Sequence, residues 1–147
     1  MSPTGRTDPY PSFNFLVEID GIGKGLFSEV SGVNAAIEVI EYRTGEPKEN
    51  TVRKLPGLSK YSNITLKRGL TSDLSLWNWI LSVMQGNVRR VAVSITLLDE
   101  SRNPVLIWKL SKAWPCKWEG PVMDGKTSEV AIETLEICHE GLELVGV

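Results

Sequence analysis

Histidine, cysteine and close carboxylates are the side chains that most often do chemistry, and here they are sparse. His139 is the only histidine, which excludes a multi-histidine metal centre. Cys116 and Cys138 lie 22 positions apart with no CxxC spacing, so they read as structural thiols rather than ligands or a redox motif. A nucleophile pair of Cys138 and His139, which a small hydrolase would use, meets a geometric objection. Consecutive residues of a strand point to opposite faces. The run Gly21-Ile22-Gly23-Lys24-Gly25 lacks the GxxxxGK[ST] pattern and the following helix of a phosphate loop, and reads as a turn. Five tryptophans remain, of which Trp108, Trp114 and Trp118 fall in one stretch. Aromatics in a row can stack on sugars or bases, so a carbohydrate- or nucleotide-binding β module is the alternative reading. With only three Phe and three Tyr in the chain, core and interface mass is the better use for them. No catalytic constellation, metal site or cofactor is expected.

The elements that would position these residues are mostly strands. Phe13, Phe15, Val17 and Ile19 alternate with Asn14, Leu16, Glu18 and Asp20, the period of a half-buried strand. Further strands are expected at Leu26–Val30, Ala35–Tyr42, Tyr61–Arg68, Arg90–Leu98, Val105–Leu110 and Glu129–Cys138. Thr44–Pro56, rich in glycine, proline and charge, reads as a long loop or hairpin tip. One helix is expected over 72–85, with Thr71 or Ser72 and Asp73 at its start and Gly86 at its end. Its apolar residues cover about 200° of the circumference, against little more than 100° for a helix that covers only its own domain. A second contact is the explanation, with Trp79 and Val83 at the margin of an interface; a deep groove within the monomer is the other.

At 147 residues the chain is one domain, with 18 acids against 16 bases. That balance disfavours a general nucleic-acid binder, and no apolar run is long enough to span a membrane as a helix. The first residues lack the basic start and apolar stretch of a secretory signal, so synthesis and assembly in a reducing cytoplasm are expected. Charge is unevenly spread. Glu41–Gly69 holds seven bases and three acids, whereas Glu119–Val147 holds seven acids and Lys126. Either the two stretches neutralise one another within one fold, or they form opposed surfaces through which copies attract head to tail. Ile37–Tyr42 has no proline or inward lysine to block an exposed edge, which invites pairing with another copy.

Read together, the segments resemble the tail tube proteins of contractile phage tails and phage-tail-like contractile injection systems. The resemblance rests on Asp8-Pro9-Tyr10-Pro11 with Phe13–Ile19, on Phe27–Val33, on Glu41-Tyr42-Arg43 and on Arg53–Gly69. Leu76-Trp77-Asn78-Trp79, Ala113-Trp114-Pro115, Lys117-Trp118 and Glu129–Glu133 complete it. It implies a mainly β fold, two packed antiparallel sheets forming a small barrel with one flanking helix. It further implies homohexameric rings with a continuous inner barrel, stacked into a hollow tube that a contracting sheath drives through a target envelope. Residues 1–11 would form an N-terminal arm. Residues 43–56 would form the extended inter-subunit loop, with Arg43, Glu46, Lys48, Glu49, Arg53 and Lys54 setting the register between rings. Implied partners are the sheath protein, baseplate or tube-initiator and tube-terminator proteins, and a tape-measure protein or effector cargo in the lumen. The lumen should be lined by polar strand faces, and Glu38, Glu133 and Glu136 are the candidates for its acids.

Overall fold

A computed structural model describes residues 14–43, 52–122 and 131–146. The described residues form ten strands and one helix. These are β1 (Phe15–Ile19), β2 (Gly23–Phe27), β3 (Glu29–Ser31), β4 (Ala35–Tyr42), β5 (Arg53–Tyr61), β6 (Ile64–Gly69), α1 (Ser75–Met84), β7 (Val91–Leu98), β8 (Pro104–Glu119), β9 (Ile132–Cys138) and β10 (Gly141–Gly146). The N-terminal arm and Glu46, Lys48 and Glu49 lie outside the described residues.

Strands β2-β1-β7-β8-β9-β6-β3 are neighbours in that order and all pairs described are antiparallel. The two ends of this path meet, because β2 runs into β3 through Ser28. The amide of Ser28 donates to the Lys67 carbonyl at 2.9 Å and its hydroxyl to the same oxygen at 3.1 Å. One stretch of chain thus pairs first with β1 and then with β6, curling the sheet into a small barrel. Inside it, Ile64, Leu66, Ile95, Leu135 and Ile137 are fully buried, joined by Val17, Val93 and Leu110. Period-two alternation puts these residues inward and leaves their neighbours facing out.

Strand β8 belongs to both halves of the barrel. Its first part lies between β7 and β10, and its last part pairs with β9. Two irregularities let it bend. Lys112 sits at φ 50° where the register against β7 shifts, and a second shift falls between Pro115 and Lys117. Bulges tolerate such backbone and also tolerate proline, which cannot donate to a regular ladder. The strand therefore runs through Pro115, well past the expected end at Leu110. β9 and β10 continue along the same edge of β8, with Cys138 opposite Trp114 and Gly141 opposite Ser111.

Other expectations need correction. Only the tip of the glycine run is a turn: Gly21, at φ 73°, turns the chain, and Gly23–Phe27 is already strand β2. Arg53–Pro56, expected in the loop, belongs to β5. The helix starts at Ser75, with Leu74 in the cap position. Asp73 Oδ1 accepts from the Ser75 amide at 3.0 Å, which satisfies one free donor of the first turn. Gly86, at φ 93°, follows the last turn, and its amide donates to Val83 O.

Candidate functional site

Two arrangements stand apart from ordinary core packing: a buried ion pair between strands and an uncovered ribbon.

The ion pair forms because Arg68 and Glu133 share the inward phase of their strands with Ile64 and Leu66 on β6, and with Leu135 and Ile137 on β9. They stand directly opposite in the ladder. Arg68 Nε donates to Glu133 Oε1 at 2.8 Å, and the two side chains are 8% and 3% exposed. Trp118 Nε1 donates to Glu133 Oε2 at 3.0 Å. The guanidinium lies 5.1 Å from the Phe27 ring centroid, and Nη1 reaches Asp73 Oδ2 at 3.6 Å. The Ser75 amide and hydroxyl, with Arg68 assisting, hold the Asp73 carboxyl below its ordinary value of 3.8. Trp118 in turn meets Trp77 edge-on at 5.1 Å. The network joins β6, β9, β8 and the start of α1, and it draws one charge from each of the two oppositely charged stretches of sequence. Glu133, expected at a lumen, is therefore buried inside the protomer.

The ribbon is β4 and β5, a two-stranded sheet separate from the barrel. Its register runs from Ala35 opposite Tyr61 to Tyr42 opposite Arg53, with a shift after Ile37. Gly57 fits at that shift because a Cβ there would meet the Glu38 carbonyl oxygen and the Ile40 side chain. Every residue of β4 is exposed. Ile37 (61%), Val39 (60%) and Leu58 (74%) are the most open of its apolar side chains, and Ile40, Tyr42 and Leu55 are exposed too. Alternation puts Ile37 and Val39 on one face and Ile40 and Tyr42 on the other. A two-stranded hairpin is marginal in water by itself, and this one carries exposed apolar side chains on both sides. Its only described ion pair, Lys60 to Glu38 at 3.9 Å, is open to solvent and contributes little. Glu38 is thereby on the ribbon, and Arg43, Arg53 and Lys54 are exposed at its far end.

Two further surfaces are uncovered. β10 pairs with β8 alone among the described strands, so its outer edge is open beside the exposed Leu144. On α1, Leu76, Trp79 and Ile80 are buried against the barrel, whereas Trp77 and Met84 are exposed in line with Leu74. The helix does have two apolar sides. Trp79, 3% exposed, belongs to the inner one, with half-buried Val83 beside it, so the apolar face left exposed is Leu74, Trp77 and Met84.

The residues considered for chemistry are occupied otherwise. The ring nitrogens of His139 face Gly141 O and Ser62 O, each at 3.1 Å, and its ring packs on Tyr61. Trp108 and Trp118 pack against the core. Glu136 is half-buried and accepts from Asn63 Nδ2 at 3.0 Å. Among the described residues no three His, Cys, Asp or Glu side chains are grouped to hold a metal ion, and no helix is long and apolar enough to cross a membrane.

The architecture is similar to that of known tube assemblies. A chain of the cryo-EM structure of an extracellular contractile injection system, the PVC sheath–tube complex in the extended state, superposes with TM-score 0.82 at 27% identity. The match covers 96% of this chain and 94% of that one. A chain of the PVC sheath/tube terminator gives 0.80 at 27% identity, covering 95% and 98%. Hcp1 from Flavobacterium johnsoniae shares the fold at 16% identity, with TM-score 0.56 and coverage of 92% and 97%. A comparison with curated sequences gives no match. Residues 11–143 match the family model of the T4-like virus tail tube protein gp19, and the chain belongs to that tail tube family, whose members are structural.

Proposed function

We propose that this chain is the repeating subunit of the rigid inner tube of a contractile injection particle. Six copies form a ring, and rings stack into a hollow conduit for cargo. The observation that carries the reading is the β4–β5 ribbon, with exposed apolar side chains on both faces that no described residue of its own protomer covers. A neighbouring copy would cover it, and the open edge of β10 offers backbone groups for pairing. A closed ring satisfies every such edge, whereas an open one leaves two.

The similarity to chains of sheath–tube and terminator complexes supports a sheath around the tube and a cap at its end. A baseplate or initiator would stand at the other end, and a tape-measure protein or effector would occupy the lumen. Subunits would assemble in the bacterial cytoplasm, without chemistry of their own. Arg43, Arg53 and Lys54 would touch the adjoining ring, together with Glu46, Lys48 and Glu49 of the connecting segment. Glu38 and Glu136 stay as candidates for acids near the channel.

Electron microscopy of the purified chain, alone and with its sheath partner, should show hollow rings or tubes. A monomer at every concentration and with every partner overturns the proposal. The double substitution Arg53→Glu and Lys54→Glu should shorten or abolish stacks while leaving the circular dichroism spectrum unchanged. Tubes of normal length would remove this end of the ribbon from the ring-to-ring contact.

A further inference from the structure

Cys116 and Cys138 have no part in the tube reading, yet the fold brings them together. In the β8–β9 ladder Cys138 stands opposite Trp114, Glu136 stands opposite Lys117, and Cys116 is the extra residue of the bulge between. Alternation puts Glu136 and Cys138 on one face of β9, away from the buried Leu135 and Ile137. Cys116 turns to that same face. Its Sγ lies 3.4 Å from Glu136 Oε2 and 3.5 Å from the Glu136 carbonyl oxygen, and Asn63 Nδ2 donates towards it at 3.7 Å. Both thiols are free and half-buried. Burial first, then the neighbouring Cys138 thiol and the Glu136 carboxylate, push the Cys116 thiol up to about 12.

We propose that Cys116 and Cys138 are a redox-sensitive dithiol that closes into a disulfide stapling β8 to β9 when it meets a small disulfide oxidant such as oxidised glutathione. Because Cys116 is held protonated, Cys138 attacks first. Its thiolate bonds to one sulfur of the oxidant, the oxidant's S–S bond breaks, and one small thiol leaves, taking its proton from water. Cys116 then loses its proton to water and attacks Sγ of Cys138, and the second small thiol is expelled. Two protein thiols are oxidised, and one small disulfide becomes two thiols. In a reducing cytoplasm the pair stays open; in an oxidising exterior it closes. The staple would span the bulge, where the β8–β9 ladder is irregular. This inference rests on the protomer alone and does not require ring formation.

The test uses the full chain, purified under reducing conditions and shown to be folded by circular dichroism, then incubated with oxidised glutathione. Intact mass should fall by two hydrogens with no glutathione retained, and a non-reducing gel should show a faster monomer band. Cys116→Ser should stop with one glutathione on Cys138, whereas Cys138→Ser should stay largely unmodified. Unchanged mass, a lasting glutathione adduct on the native sequence, disulfide-linked dimers, or closure only in denaturant would each overturn the proposal.

Discussion

The barrel and the ribbon are made of similar antiparallel strands, yet one is finished and the other is not. In the barrel the ends of the sheet meet at Ser28, the inward residues are buried, and the Arg68–Glu133 ion pair is held by hydrogen bonds from two sides. In the ribbon all of β4 is exposed and both faces carry exposed apolar side chains. On the proposed assembly, stability of the protomer and its capacity to assemble are therefore lodged in different residues. A core residue in the barrel gains its free energy within one chain; in the proposed ring, Ile37, Val39 and Leu58 would gain theirs only when another copy arrives.

That division can be tested by ranking substitutions on protomer stability. Glu133→Ala should have the largest effect, since it leaves Arg68 buried without its main partner and frees the Trp118 indole. The cost is about 3–5 kcal/mol, read as a lower midpoint in chemical denaturation; a loss under about 1 kcal/mol would mean that the site opens to water. Asp73→Asn should act less, and only above the pH range in which the Asp73 carboxyl titrates, with no effect in acid. The Asp73 carboxyl is held below its ordinary value of 3.8 in the folded chain, so its contribution is present above that value and is lost as pH falls below it. Acid unfolding of the variant should lack that portion of the decline, and identical acid curves would remove the cap from the account. Ile37→Ser with Leu58→Ser should leave the isolated protomer within about 0.5 kcal/mol per site yet abolish rings. A protomer that unfolds instead would show that the ribbon is held by its own chain, and the contrast would collapse.

Much of the barrel could be read from alternation. β1, β6 and β7 carry inward Val, Ile and Leu at every second position, and the helix announced itself by apolar spacing with Asp73 and Gly86 at its ends. Other elements were hidden by residues that usually break strands. β5 contains Pro56, Gly57 and three cations, β8 passes through Pro115, and β10 begins and ends with glycine. In each case pairing with a neighbour strand overrides local preference. The ion pair was missed because isolated charges read as surface. A signal did exist: Arg68 keeps the phase of Ile64 and Leu66, and Glu133 keeps that of Leu135 and Ile137. Opposite charges on the inward phase of two strands mark a buried pair. The outward stripe Leu74, Trp77 and Met84 needed coordinates, since composition alone does not say which side of an all-apolar helix its own domain will take.

Strand β8 couples the two halves of the protomer in a mechanical sense. It runs unbroken from the flank of β10 to the flank of β9, and β9 is bonded to β6, from which the ribbon departs. Force applied at the outer border would cross the subunit through backbone hydrogen bonds arrayed side by side. Bonds arrayed in that way share a shearing load, whereas bonds pulled one at a time unzip. A projectile assembled from such units would resist buckling along its length without a thick wall.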